Sequence, residues 1–205
     1  NDNAEVANTL YCLGHLYLEQ NRFQRAEKCY MDALKTYTAA YGRINTKISN
    51  IYNDLGMLFW LKSDFEMAKK HYLEALSIGK QASGEMCSDV ATSYGNLGIL
   101  HHDYGFLDEA EKFYMLSYDI CIALYGEQHK LTANVINSLG DLYRNQNNYE
   151  KAEFFLVKAL HFYQKSYGEY HDETANSYNN IGALYRDQKN YPEAEKNYSR
   201  ALLIW

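Results

Sequence analysis

The sequence predicts an all-α protein in which about five helix-turn-helix repeats stack along the chain. Three observations predict this fold class: a glycine that recurs every 42 residues, small residues that recur in the same frame, and glycines at the expected ends of the longer helices. Repetition at a fixed period of this size is typical of units that stack on their neighbours. We therefore expect a single domain over residues 1–205, with repeats at about 6–47, 48–89, 90–131, 132–173 and 174–205, the last of them truncated.

The first helix of each repeat, here called helix A, is marked by a glycine that follows leucine or isoleucine. These glycines are Gly14, Gly56, Gly98, Gly140 and Gly182. A large aromatic residue follows three positions later in four repeats, at Tyr17, Phe59, Tyr143 and Tyr185. Because residues three apart lie on one side of a helix, we expect each A helix to present one apolar face.

A turn and a second helix, helix B, follow each A helix. The turn positions hold mostly residues that tolerate turn geometry, namely Asn21, Ser63, Gly105, Asn147 and Lys189. Pro192 lies at the predicted start of the last B helix, where its missing N–H costs nothing. Helix B is expected to end near Gly42, Gly84, Gly126 and Gly168, because glycine adopts the left-handed conformation of a helix C-cap.

This frame of Leu-Gly, aromatic, Ala and Tyr positions resembles the tetratricopeptide repeat over essentially the whole chain. The usual period of that family is 34 residues. The longer period here, together with the endings YGEQH at 125–129 and YGEYH at 167–171, is most similar to the kinesin-light-chain subclass. The resemblance implies a right-handed α-solenoid that binds other proteins, with the A helices lining its concave side.

Asparagines recur on this predicted concave side in pairs three residues apart: Asn50 and Asn53, Asn134 and Asn137, and Asn176 and Asn179. Asparagine costs roughly half a kcal/mol relative to alanine inside a helix, so matched pairs need a reason. An amide both donates and accepts hydrogen bonds, which suits the backbone of an extended peptide, and the peptide-binding surface of kinesin light chains is similar in this respect. Two alternatives stay open: the asparagines bond to one another between helices, or they are solvated and the first of each pair helps its helix to start.

The remaining groove positions change in character along the chain. The first half offers the apolar side chains of Leu18, Met57, Trp60, Leu61 and Ile99, and the second half offers Arg144 and Arg186 with Asp141 and Asp187 close by. A partner segment with an apolar anchor and an acidic or amide-rich stretch would suit both ends. The alternatives are packing of Trp60 under a neighbouring helix and local pairing of the arginines with the aspartates.

A different mode of recognition is disfavoured by the residues at the equivalent positions. Chaperone-binding domains of this family hold a terminal carboxylate with lysines and arginines. The matching positions here are Asn8, Tyr11, Asn50, Asn53 and Asp54. A receptor for chaperone tails is therefore not expected.

The sequence contains no motif for catalysis, for a cofactor or for a metal ion. His101, His102 and Asp103 are consecutive, and consecutive helical residues point in different directions and cannot converge on one ion. His129 and His171 recur at a loop position, where a role in fixing the loop is the simpler interpretation. We expect a non-enzymatic protein without a cofactor.

Charge and cysteine usage restrict the partners and the compartment. The formal charge of -6 and the pI of about 5.6 come without a basic cluster, which argues against a nucleic-acid partner. No apolar run is long enough to span a membrane, so membrane insertion is not expected. Cys12, Cys29, Cys87 and Cys121 lie in helical patterns without C-x-x-C spacing, which favours reduced thiols and the cytoplasm.

Two functions remain open at this point. The first is an adaptor or scaffold that binds a short linear segment of a partner protein in the groove lined by the A helices. The second is a structural spacer or oligomerisation scaffold, because Leu202, Leu203, Ile204 and Trp205 have no following repeat to cover them and could mediate self-association. The chain begins without Met and stops at ALLIW, so we interpret it as a fragment.

Overall fold

A computed structural model describes residues 2–205, with side chains from residue 3 onwards. The prediction of an all-α helical repeat is confirmed, because that part of the chain contains ten α-helices and no strand. The odd-numbered helices are the A helices and the even-numbered ones are the B helices. In chain order the helices are α1 (Asp2–Glu19), α2 (Phe23–Tyr41), α3 (Thr46–Leu61), α4 (Phe65–Ser83), α5 (Ser88–Asp103), α6 (Leu107–Tyr125), α7 (Lys130–Asn145), α8 (Tyr149–Tyr167), α9 (Asp172–Asp187) and α10 (Tyr191–Ile204).

The chain divides after Gly105 into two compact units. The first unit contains α1 to α5, in which each helix packs on the next and α3 also contacts α5. The second unit contains α6 to α10, in which each helix again packs on the next and α7 also contacts α9. Within each unit, successive A helices therefore lie close enough for their side chains to meet.

The predicted turn positions between helices A and B are confirmed by their backbone. All five have positive φ angles: Asn21 (56°), Ser63 (60°), Gly105 (81°), Asn147 (59°) and Lys189 (61°). The N–H that follows the turn donates back to the end of helix A, as Asp64 N–H does to Phe59 O at 2.9 Å. This bond closes a tight connection, and it fixes where helix B begins.

The predicted ends of the helices are confirmed as well. The four B helices α2, α4, α6 and α8 each contain 19 residues and end at a glycine with positive φ. The only proline of the chain, Pro192, lies in the first turn of α10. These local signals are what keep the pairs of helices in the same register along the chain.

The contact between helices A and B of one repeat depends on a residue without a side chain. A Cβ added to Gly56 would lie 2.5 Å from two ring atoms of Tyr72, which is 3% exposed. The same close approach joins Gly14 to Tyr30, Gly140 to Leu156 and Gly182 to Tyr198. The recurring glycine is therefore explained by packing, because no other residue leaves room for the buried side chain opposite.

The loop histidines have the fixing role that the sequence suggests. His129 Nδ1 accepts the N–H of Leu131 at 3.2 Å and caps α7, while its ring stacks on Tyr125 with the ring centroids 4.2 Å apart. His171 caps α9 in the same way and stacks on Tyr167. Each histidine thus satisfies one free N–H at the start of an A helix.

Replacing His129 with Ala is expected to lower the free energy of unfolding by about 1 kcal/mol, the usual value of an N-cap. His129→Asn is the matched control. Asn45 occupies the equivalent position of an earlier 42-residue repeat (its frame position), and it caps α3 by accepting the N–H of Lys47 at 2.9 Å. Urea unfolding followed by circular dichroism measures both variants. Equal losses in the two would show that ring stacking, not capping, is what stabilises this loop.

Candidate functional site

The six predicted asparagines separate into two groups by exposure. The first of each pair, at Asn50, Asn134 and Asn176, is exposed. The second of each pair is less accessible: Asn53 is 7% exposed, and Asn137 and Asn179 are half-buried. The first group is therefore the more accessible to solvent.

Asn53 is part of a buried hydrogen-bond network between α3 and α5. Its amide nitrogen donates to Ser93 Oγ at 3.0 Å, and its amide oxygen accepts from Asn96 Nδ2 at 3.3 Å. Ser93 is fully buried and its Oγ also donates to Asp89 O at 3.0 Å, so Asn53 and Asp89 together satisfy this hydroxyl. At this position the alternative of bonding between neighbouring helices is the one that the structure shows.

Equivalent contacts join the other A helices within each unit. We call the following three contacts the first row: Tyr11 OH to Asp54 Oδ2 at 2.5 Å, Asn96 Nδ2 to Asn53 Oδ1 at 3.3 Å, and Asn180 Nδ2 to Asn137 Oδ1 at 3.1 Å. Every contact links residues 43 positions apart, which is one position beyond the equivalent residue of the next repeat. The first row thus bonds α1 to α3, α3 to α5 and α7 to α9.

A second row of contacts runs seven residues further along the same helices. Trp60 Nε1 donates to Asp103 Oδ2 at 2.9 Å, and Arg144 Nη1 donates to Asp187 Oδ2 at 2.5 Å. These pairs are also 43 positions apart. Because seven residues make two helical turns, the two rows lie on the same face of the A helices.

The predicted apolar groove residues of the first unit differ in their accessibility. Leu61 is 44% exposed and Ile99 is 37% exposed, while Met57 and Trp60 are half-buried. Leu18 was expected on this face, and that expectation is wrong, because it is only 7% exposed and belongs to the core. Leu18 holds the frame position of Trp60 but lacks a polar end that could bond at the surface as Trp60 does.

The two arginines of the second unit are paired with aspartates, as one alternative anticipated. Arg144 donates to Asp141 Oδ1 from Nε at 3.0 Å and from Nη2 at 2.7 Å, in addition to its bond with Asp187. Arg186 donates to Asp187 Oδ1 at 3.0 and 2.8 Å, with 56% of its side chain exposed. Partial burial alone would raise the pKa of Asp187, but the bonds from Arg186 and Arg144 outweigh it and lower the pKa.

Tyrosines of the B helices orient two of the exposed asparagines. Tyr163 OH donates to Asn134 Oδ1 at 2.8 Å, and Tyr37 OH donates to Asn8 Oδ1. The amide oxygen of Asn134 is thereby occupied, and its amide nitrogen remains available as a donor. The side-chain amides of Asn50 and Asn176 make no hydrogen bond within the residues that the structure describes.

A set of Tyr–Glu pairs is a feature that the sequence reading missed. Tyr143 OH donates to Glu111 Oε1 at 2.9 Å, and Tyr185 OH donates to Glu153 Oε1 at 2.7 Å. Burial and the bond to Glu111 raise the pKa of Tyr143 to about 12, and the bond to Glu153 and burial raise that of Tyr185 to about 12. The sequence did contain a sign of these pairs, because both the two glutamates and the two tyrosines recur 42 residues apart.

His15 adds a pH-dependent contact between α1 and α3. Its Nε2 lies 3.3 Å from Asp54 Oδ2, the same oxygen that accepts from Tyr11. The hydrogen bond to Asp54 raises the pKa of His15 above its usual 6.5, although partial burial opposes the shift. A raised folded-state pKa means that the stabilisation is fully present below the unfolded value and is lost as pH rises through the folded value.

The variant His15→Gln is therefore expected to lose more stability near pH 5.5 than near pH 8, which lie about one unit below and about one and a half units above the ordinary pKa of histidine. The measurement is the free energy of unfolding of both proteins at the two values. Glu19→Gln is a useful companion, because Glu19 also attracts the charge on His15. A difference between wild type and variant that is independent of pH would contradict the contact with Asp54.

Neither a metal centre nor a membrane span is found in the described residues. Within residues 2–205, no group of three or more His, Cys, Asp or Glu side chains is arranged to hold an ion, and no helix is long and apolar enough to cross a bilayer. His101 is 4% exposed, and its Nδ1 lies 2.7 Å from Leu97 O. This histidine is thus a core residue, and all four cysteines are free thiols.

Comparison with known proteins agrees with this architecture. The family model described as "Tetratricopeptide repeat" matches residues 5–81, 89–165 and 155–204. No curated protein matches the sequence. The predicted resemblance to this family is confirmed over most of the chain.

Several solved structures share the fold at low sequence identity. BtubC (BKLC) from P. vanneervenii is 24% identical with a TM-score of 0.85, over 98% of this chain and 80% of that one. A putative kinesin light chain of Podospora anserina with nearly identical TPR-like repeats is 12% identical with a TM-score of 0.78, over 98% and 95%. A Rap protein complexed with competence and sporulation factor is 12% identical with a TM-score of 0.78, over 95% of this chain and 52% of that one.

Proposed function

Because the chain belongs to the tetratricopeptide-repeat family, we propose that it is an adaptor that binds a short, extended segment of a partner protein on the exposed faces of its A helices. Repeats of this family are generally protein-protein interaction modules and typically non-enzymatic, and we propose no catalytic step. One observation carries the proposal: Asn50, Asn134 and Asn176 share one frame position and are all exposed. Helical interiors disfavour asparagine, so its repeated presence at an exposed position favours a ligand.

The face of the second unit is suited to hydrogen-bond acceptors. Asn134 retains its amide nitrogen after Tyr163 occupies its oxygen, and Asn176 retains its whole amide. Arg186 adds an exposed guanidinium. Backbone carbonyl oxygens and carboxylates accept from such donors, so this unit would take an extended stretch that is acidic or rich in amides.

The face of the first unit is suited to an apolar side chain. Leu61 and Ile99 are both exposed by more than a third, and Met57 is half-buried. Asn50 lies on the same face as these exposed apolar groups. This arrangement favours a partner segment whose apolar side chain contacts the apolar groups while its backbone forms a hydrogen bond with Asn50. We place the protein in the cytoplasm, where the free thiols of its four cysteines would stay reduced.

A peptide-display selection on the 205-residue protein tests this function. We expect enrichment of a shared motif, and we expect the double variant Asn134→Ala, Asn176→Ala to bind the enriched peptides at least about tenfold more weakly, as two lost hydrogen bonds imply. Leu61→Asp should weaken binding of peptides that carry the apolar anchor. Titration calorimetry with the selected peptides measures each change.

The control is Gln24→Ala. This substitution also shortens an exposed polar side chain, but Gln24 lies on α2, a B helix, and so outside the proposed binding face. Thermal unfolding of every variant shows that the fold is retained. Peptides that bind the double asparagine variant as tightly as the wild type would contradict the proposed face. A folded protein that enriches no peptide would shift the proposal to the second candidate.

That second candidate is stacking through α10. Leu202, Leu203 and Trp205 are 75%, 79% and 64% exposed, whereas Tyr163, at the frame position of Trp205, is 3% exposed. In the preceding repeat Leu160 packs on a cluster that includes Tyr178 of α9. An A-type helix supplied by another repeat or another copy would cover α10 in the same way, and Leu203→Lys should then abolish such stacking in sedimentation experiments.

A further inference from the structure

The outer surface of α8 carries an apolar patch that the repeat fold does not require. Phe154 is 62% exposed and Val157 is 48% exposed. Phe154 rests edge-on against Phe155, with ring centroids 5.2 Å apart, and Lys158 Nζ lies 5.9 Å from the centre of the Phe154 ring. The four other repeats have lysine at the position of Phe154, namely Lys28, Lys70, Lys112 and Lys196. Packing within a repeat therefore tolerates a charge here, and the aromatic residue needs another explanation.

The patch belongs to a straight stripe of exposed residues along α8. Glu150, Phe154, His161 and Lys165 are separated by four, seven and four residues, which places them on one face of the helix. All four are exposed. In the described residues, the side chains of Glu150, His161 and Lys165 have no ion pair or hydrogen bond. The stripe thus presents a negative end, two aromatic rings and a positive end.

This order of residues is complementary to itself in the antiparallel direction. The spacing reads the same from both ends, so a second α8 that runs the opposite way places its Lys165 against Glu150 and its His161 against Phe154. Both contacts then occur twice, once on each side of a two-fold axis near Val157. Opposite charges and aromatic pairs each favour this register, and a self-complementary patch is what a two-fold dimer requires.

No other B helix carries the same pattern. The corresponding residues are Gln24, Lys28, Lys35 and Ala39 in α2, Glu66, Lys70, Ser77 and Gln81 in α4, Asp108, Lys112, Asp119 and Ala123 in α6, and, for the first three positions, Pro192, Lys196 and Leu203 in α10. None of these stripes combines apolar centres with opposite charges at its ends. The feature is therefore specific to α8, and a general solvated surface does not account for it.

We propose that α8 is a homotypic interface at which two copies of this chain pair antiparallel about a two-fold axis. One helix face on each side is a small interface, so the association is weak and depends on concentration. The pairing uses a B helix and leaves Asn134 and Asn176 of α7 and α9 uncovered. The dimer then presents two peptide-binding faces, which increases its avidity for partners that carry repeated segments.

Sedimentation velocity over a concentration series from micromolar to near-millimolar tests the interface. The wild type is expected to shift from monomer to dimer, and Phe154→Lys to weaken the association at least tenfold. That variant introduces the residue found in the four other repeats, so its fold is expected to be retained. Leu73→Lys is the matched control, because Leu73 holds the frame position of Val157 on α4 and is 42% exposed.

Charge reversal tests the register. Glu150→Lys and Lys165→Glu should each weaken the dimer, because each places two like charges opposite one another, and the double variant should restore it. A wild type that stays monomeric throughout, or a dimer that Phe154→Lys leaves unchanged, overturns the proposal. Association that only Leu203→Lys removes would assign self-association to α10 and overturn it as well.

Discussion

Replacing Gly56 with Ala is expected to lower the free energy of unfolding by about 2 kcal/mol. The added Cβ would lie 2.5 Å from the buried ring of Tyr72, and overpacking of this severity costs about 3 kcal/mol. Alanine would return about 1 kcal/mol through its better helix propensity. The free energy of unfolding is thus expected to fall, whereas helix propensity alone implies that it should rise. Chemical unfolding of the wild type and the variant measures the difference.

Asn50→Ala on the same helix provides the control for this prediction. Asn50 is exposed, so the substitution removes no packing and should stabilise α3 by roughly half a kcal/mol. A Gly56→Ala protein as stable as the wild type would mean that the contact between α3 and α4 can open without cost. Close packing would then not be the reason for the recurring glycine.

The second large effect is expected for Asn53→Ala, which should destabilise the protein by about 2 kcal/mol. The substitution leaves the fully buried Ser93 and the half-buried Asn96 without the amide that bonds to both. Asn137→Ala should cost less, about 1 kcal/mol, because Asn137 is half-buried and has a single bond, from Asn180. Urea unfolding of the two variants under one set of conditions gives the comparison.

This pair of variants also separates two roles of asparagine. If Asn53→Ala unfolds like the wild type but no longer binds selected peptides, Asn53 is a ligand contact and the buried network is not what retains it. If it loses stability as expected, reduced binding by this variant reports on the fold. Binding should therefore be judged first from Asn176, whose side chain makes no hydrogen bond within the described residues; Asn134→Ala also removes the acceptor of Tyr163 OH, so its stability has to be measured alongside.

The helices and turns could be predicted because their signals are local. Asn147 and Lys189 interrupt helices by adopting positive φ, and Gly126 and Gly168 end them, so each boundary depends on one or two neighbouring residues. The period of 42 residues then places all equivalent positions in one frame. A frame of this kind identifies the core side of a helix, as the buried Ala68 and Ala152 illustrate.

The partners of the polar side chains could not be predicted in the same way. A fixed period shows which residues are equivalent, but Asn137 bonds to Asn180, one position past its equivalent in the next repeat. That offset depends on how two A helices are displaced along each other, which no single repeat encodes. The sequence therefore indicated that the asparagines matter without showing that Asn53 lies inside a network and Asn50 outside it.

The contact between each recurring glycine and its neighbour has a consequence for folding kinetics. Gly14 and Tyr30, Gly56 and Tyr72, and Gly182 and Tyr198 are each sixteen residues apart, so the tightest packing closes within one hairpin. Short loops close quickly, and proteins dominated by such local contacts fold fast for their size. Each helical pair can accordingly act as a nucleus for its neighbours, and folding need not wait for either terminus of the chain.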